Sequence, residues 1–184
     1  MDSEKIKQAA VMFLEAIGED PGRPGLADTP DRIARMCEEI FSGMEADPGE
    51  NLKRVFPMEE PGIVMEKGIR FYSVCEHHLL PFFGTVSIAY SYKDRVVGLS
   101  KLARTVDVYA KRPQIQERMT RQIGEAIMNE LPCEGVMVIV RAEHLCMSMR
   151  GVKNPGVETM TIYTAGCFDT DEELRRSTME NLKG

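Results

Sequence analysis

The sequence predicts an α+β protein: two helices, then a β-β-α-α-β-β unit, then a closing helix. Three observations predict it. Apolar residues recur at helical spacing through 3–17 and 29–41, whereas from Gly62 onward the texture turns to period-two alternation. The two β-like regions are separated by a pair of helical stretches between Ser100 and Leu131.

In the first helix Ser3 is the expected cap. Ile6, Ala10, Phe13, Leu14 and Ile17 share a face, and Gly18 stops it. Residues 19–28 carry Pro21, Gly22, Pro24 and Gly25 and read as a loop. Thr29-Pro30 is a helix start, a capping hydroxyl followed by proline in the first turn. Ile33, Met36, Cys37, Ile40 and Phe41 form the expected buried stripe of this second helix, and Gly43 ends it. The Pro/Gly-punctuated stretch Asp47–Gly62 reads as a connector, so residues 1–60 are expected to form an N-terminal helical segment and 61–184 the main domain.

Within that domain Ile63–Glu66 and Ile69–Val74 are two short strand candidates, and Phe82–Tyr92 alternates strictly. Lys93-Asp94 turns the chain, and Arg95–Leu99 returns. Ser100 is then the expected cap of a helix carrying Leu102, Val106 and Tyr109. Arg112-Pro113 breaks that helix, and another spans 114–131. Val136–Arg141 is a strand expected to run on to Cys146, and Val157–Phe168 is its partner across the turn Lys153-Asn154-Pro155-Gly156. Thr170-Asp171-Glu172-Glu173 has the form of a capping box for the last helix.

Composition narrows the function classes. The 184 residues suffice for one domain with a short appendage, and 43% hydrophobic with 28% charged content is ordinary for a soluble protein. No run reaches the ~18 apolar residues of a membrane span, and the polar start Met1-Asp2-Ser3-Glu4-Lys5 is no signal peptide. An odd number of cysteines, five, favours reduced thiols and a cytoplasmic protein over a disulfide framework. A net charge of −6 argues against coating nucleic acid but leaves room for a small anion held by local charge. The thirteen methionines, Cys37, Cys133 and Cys167 are assigned to packing.

The three histidines lie in two short segments, Cys75-Glu76-His77-His78 and Glu143-His144-Leu145-Cys146, each with a cysteine. Such clusters are how metal sites are recognised. Adjacent His77 and His78 point their rings apart, so one ion takes one of them. On a strand, His144 and Cys146 would face the same side. Cys75, one of the paired histidines and Cys146 make three ligands with an open fourth position, the form of catalytic zinc. A closed structural site with His144 as fourth ligand has the same spacing. Gly98-Leu99-Ser100-Lys101-Leu102-Ala103-Arg104 bears on that choice, because cations in a helix's first turn are unfavourable unless an anion sits there. Arg150 is a further positive group, and Arg32 and Arg35 share one face of the second helix.

These motifs, with Gly18-Glu19-Asp20-Pro21, Asp28-Thr29-Pro30-Asp31-Arg32-Ile33-Ala34 and Arg112-Pro113-Gln114-Ile115-Gln116-Glu117-Arg118, resemble the GTP cyclohydrolase I family over nearly the whole chain. The resemblance extends through His144-Leu145-Cys146-Met147-Ser148-Met149-Arg150-Gly151-Val152. It implies the tunnelling fold, an antiparallel ββααββ sheet with helices on one face. It implies Zn2+ held by Cys75, His78 and Cys146, with His77 and His144 as acid/base imidazoles. Glu117, with Gln116 beside it, would hold the guanine edge. Leu99, Ser100, Lys101, Arg104 and Arg150 would bind the triphosphate, and Arg32 and Arg35 would help from a neighbouring subunit of a homodecamer. The implied reaction opens the guanine imidazole ring of GTP, releases formate and recloses to 7,8-dihydroneopterin triphosphate.

Two departures stand out. The start is short, with no room for a regulatory extension before Ser3, and Thr159-Met160-Thr161-Ile162-Tyr163-Thr164 replaces a Ser/Thr run of many relatives. A tunnelling-fold enzyme acting on another purine or pterin and a non-catalytic zinc module are the competing readings.

Overall fold

The computed structural model describes residues 1–182 and divides the chain into two compact units, Met1–Ser42 and Gly43–Gly184. The first holds helices α1 (Ser3–Ala16) and α2 (Thr29–Ile40). Asp2, not Ser3, caps α1, its carboxylate accepting from Lys5 N at 3.1 Å. Asp28 occupies the cap position of α2 and Thr29 is already helical, with no side-chain cap bond. Lys7 ties the helices by an ion pair to Asp31 at 2.8 Å. Only Ala10, Leu14 and Ala34 are buried here. Phe13, Ile17 and Met36 of the expected stripes remain exposed, because one helix–helix contact covers less than the full apolar width of either helix.

The second unit begins at Gly43, ahead of the stretch expected as a connector. Residues 47–62 instead carry α3 (Pro48–Leu52) and β1 (Val55–Pro57), and Leu52 is fully buried in the main core. Gly43 does not simply end α2; it lies where a Cβ would be 2.1 Å from Val108 O. The two short strands expected before Cys75 are one, β2 (Gly62–Cys75), interrupted by a register shift between Glu66 and Ile69. Gly68 accommodates that bulge at φ 71°, a conformation that costs glycine little. Next come β3 (Pro81–Tyr92), β4 (Arg95–Val97), α4 (Leu99–Ala110), β5 (Pro113–Gln114), α5 (Gln116–Glu130) and β6 (Cys133–His144). The chain continues through α6 (Leu145–Ser148), β7 (Thr159–Gly166), α7 (Cys167–Thr170) and α8 (Glu172–Leu182).

The main sheet runs β5-β2-β3-β6-β7, antiparallel except for the short parallel β2–β5 pair. The order β2-β3-α4-α5-β6-β7 is the ββααββ order of the tunnelling fold. Strand β4 does not pair back onto β3. It pairs with β1, in register Phe56↔Val96, and Val97 N donates to the buried Tyr90 hydroxyl at 3.1 Å.

Alternation divides the sheet cleanly. Val86, Ile88, Tyr90, Val136, Val138 and Val140 join Leu102, Val106, Met119, Ile123 and Ile127 of α4 and α5 in the large core. On the opposite face Ala89, Met137 and Ile139 meet Phe168 and Leu182, so the closing helices cover part of it. Asp171, rather than Thr170, caps α8 by accepting from Leu174 N at 2.9 Å.

Candidate metal centre and acid–base site

Register brings the two histidine segments together. Val74 pairs with Pro81 and Phe82 with His144, so the end of β2, the start of β3 and the end of β6 are neighbours at one end of the sheet. Parallel pairing of Cys75 with Gln114 adds β5 and hence the start of α5. The loop after β2 is closed tightly: Cys75 N donates to Leu80 O at 2.8 Å and Leu79 N to Cys75 O at 2.8 Å. Leu79 takes φ 52°, an uncommon conformation for a branched residue, and so turns the chain sharply.

Among the described residues, Cys75, His78 and Cys146 form a group whose ligand atoms lie within 4.8 Å of one another. Cys75 is buried, Cys146 half-buried and His78 exposed, so the group opens at the surface. The strand expected through Cys146 stops at His144, and Cys146 lies on the short helix α6. Its convergence with Cys75 therefore owes nothing to strand alternation. Burial and the adjacent Cys75 thiol push the Cys146 thiol above the ordinary cysteine value. Two thiolates this close are unfavourable unless a cation lies between them, so the donor set fits a soft or borderline ion.

His77 and His144 stay outside the trio. His77 is exposed, with Nδ1 3.8 Å from Cys75 Sγ. His144 is half-buried, stacks on Phe82 at 4.7 Å between centroids with rings 2° apart, and places Nε2 2.8 Å from Gln116 Oε1. Burial pulls its imidazole below the ordinary histidine value, and the charge of exposed Glu117 acts in the opposite sense. Arg150 reaches the trio, Nη1 donating to His78 Nε2 at 3.2 Å.

The sequence did not single out a clamp behind the loop. Arg118 pairs with Glu76, and its Nε donates to Gln114 Oε1 at 3.0 Å and its Nη2 to Pro113 O at 3.3 Å. Glu76 N donates to Gln114 O at 3.0 Å. The segment between Cys75 and His78 is thus pinned to β5 and α5. The only advance signal was Arg118 lying four residues after Gln114.

At α4 the cap is Gly98 and not Ser100. No side chain caps this start, and Leu99 and Ser100 are exposed. Lys101 and Arg104 lie in its first turns without a carboxylate within ion-pair distance among the described residues, which suits an external anion. Arg32 of the first unit pairs with Asp28 at 3.2 Å, and Arg35 is exposed. Gln116 departs from the expectation of a base contact: its side chain is 1% exposed and its amide is engaged internally.

The chain is similar to known proteins over nearly its whole length. A family model described as GTP cyclohydrolase I matches residues 6–183. A Clostridium kluyveri protein named GTP cyclohydrolase 1 is 56% identical over 183 residues, covering 100% of this chain and 99% of that protein. One of the same name from Finegoldia magna is 57% identical over 175 residues, covering 95% of each. The Carboxydothermus hydrogenoformans protein of that name is 54% identical over 180 residues, covering 97% and 94%. With residues 6–183 matched and relatives at this identity running its full length, the chain belongs to the GTP cyclohydrolase I family.

Proposed function

We propose that this chain is a GTP cyclohydrolase that opens the guanine imidazole ring of GTP at C8. Formate leaves, and the ribose shifts in the Amadori sense before the product closes to 7,8-dihydroneopterin triphosphate. The observation that carries the reading is the convergence of Cys75, His78 and Cys146 beside two imidazoles that are not part of the group. Membership of the family supplies the substrate class.

The trio is the proposed seat of zinc, since two thiolates and an imidazole suit that ion. When bound, zinc supplies Lewis acidity and a water acidified toward neutral pH. The chain's own residues do the rest. His77 and His144 carry protons to and from the reacting ring, a task suited to imidazole near neutrality. The Glu117 carboxylate accepts the N–H groups of the guanine edge. The uncapped start of α4 with Leu99 and Ser100, together with Lys101, Arg104 and Arg150, holds the triphosphate. In a homodecamer, Arg32 and Arg35 of the N-terminal helical segment reach a neighbouring subunit's site. Five free thiols suit the reducing cytoplasm.

Incubation of the metal-loaded protein with GTP tests the reading. Formate and a pterin triphosphate are expected to appear in equal amounts. Metal-replete protein that leaves GTP intact, or that turns over another purine far faster, overturns it.

A further inference from the structure

The Gln116 carboxamide has no freedom of orientation. Its Nε2 lies 3.1 Å from Val140 O, 2.9 Å from Thr159 O and 3.1 Å from Thr161 Oγ1. Backbone carbonyls only accept, so the amide nitrogen must face them and Oε1 must face His144. The hydroxyls around it agree. Thr120 Oγ1 donates its one proton to Gln116 O at 2.7 Å. In the Thr120–Thr161 contact at 2.6 Å, Thr161 is therefore the donor. With its proton spent there, Thr161 Oγ1 meets Gln116 Nε2 as an acceptor. Nε2 has two hydrogens for three acceptors, so one is shared, and no partner on that side lets it be anything but a donor.

The consequence falls on His144. An amide oxygen brings no proton to the 2.8 Å contact, so the imidazole must bring it at Nε2. In the neutral ring the lone pair is then on Nδ1, which has no hydrogen-bond partner among the described residues. The parallel stack on Phe82, itself fully buried, keeps the ring in this plane.

We propose that Gln116 is a positioning residue that fixes His144 as its Nε2–H tautomer and so makes Nδ1 the nitrogen that exchanges protons with the substrate. A proton taken at Nδ1 leaves both nitrogens protonated, turns the bond to Gln116 Oε1 into a charge-assisted one, and departs from the same atom. The catalytic half of this proposal rests on the cyclohydrolase reading; the tautomer half does not. It also replaces the expected role of Gln116 at the guanine edge.

Two measurements test it. Neutron diffraction from crystals of the metal-loaded full chain, exchanged into D2O at about pH 8, above the ordinary imidazole range, is expected to show deuterium on His144 Nε2 alone. Deuterium on Nδ1, alone or with Nε2, overturns the tautomer. Kinetics of Gln116→Met with GTP are expected to show kcat falling roughly 10- to 100-fold, the usual loss for such a supporting partner. KM is expected to stay within about twofold, as it does when a group acts only on chemistry. Because Gln116→Met also strands two buried carbonyls, Thr161→Val is measured beside it. A smaller kcat loss in that variant, restored by Thr161→Ser, is expected. A raised KM at unchanged kcat in Gln116→Met would make Gln116 a substrate contact and overturn its positioning role. Wild-type protein inert toward GTP but with deuterium on Nε2 would sink the cyclohydrolase reading alone.

Discussion

Two neighbouring histidines with different placements show what single residues contribute. His78 shares a 4.8 Å group with Cys75 and Cys146, whereas His77 is exposed with Nδ1 3.8 Å from the Cys75 sulfur. Spacing alone left the two equivalent, and only the family resemblance told them apart, because adjacent positions differ only in the direction the chain gives them. The turn through Leu79 and the bonds of Cys75 to Leu79 and Leu80 supply that direction. Replacing each class should therefore give different losses. Cys146→Ser is expected to lose both bound metal and turnover, because one of the two thiolate donors is gone. His77→Ala is expected to keep the metal while kcat falls by roughly 10²–10⁴, the range for a lost general acid or base. Elemental analysis beside steady-state rates separates the two, and loss of metal from His77→Ala would contradict the assignment.

At the scale of elements, local pattern carried the long strands and α4 and α5, since alternation and helical spacing are written in consecutive residues. It did not reveal the two-residue β5, the β1–β4 pair or the helical turn at Cys146. The two strand pairings exist because of a distant partner: Cys75 for Gln114, and Val55–Pro57 for Arg95–Val97. The Gln116 network is of the same kind, built where α5 packs on β6 and β7.

The Arg118 clamp gives one expectation at this scale. Arg118→Ala is expected to lower kcat by about 10- to 100-fold, as loss of a partner behind the ligands does, with the metal held less tightly in a chelator competition. Unchanged metal affinity and rate would contradict the clamp.

The bulge in β2 gives another. Glu66 lies beside it with Oε2 buried and unpartnered among the described residues, and burial raises its carboxyl above the ordinary value. The folded chain then keeps a proton that the unfolded chain has released. Stability from this group is full below the unfolded carboxylate range and is lost as pH rises through the folded value. Glu66→Gln is expected to raise the melting temperature at about pH 7 and to leave it near wild type at about pH 4, around the free carboxylate value. A variant less stable at both would contradict the sign.

The whole molecule has one face of its sheet unfinished. Phe168 and Leu182 cover Ala89, Met137 and Ile139, but Tyr72, Met160 and Ile162 on the same face stay exposed at 70%, 46% and 41%. Apolar area of this kind marks contact with other chains, and the outer edge of β7 is unpaired among the described strands. These features support the proposed ring of subunits. Ile162→Asp is expected to shift the assembly to smaller species in sedimentation velocity while each chain keeps its circular-dichroism spectrum. An unchanged sedimentation coefficient would place the interface elsewhere.

The dependence of turnover on the ion at Cys75, His78 and Cys146 is open to a direct measurement. Metal-free protein titrated with zinc is followed simultaneously for bound ion and for formate release from GTP. Activity is expected to rise in proportion to bound zinc and to level off at about one ion per chain, the stoichiometry of a single three-ligand site. Full formate release from the metal-free protein, or an active Cys146→Ser variant that holds no metal, would contradict it.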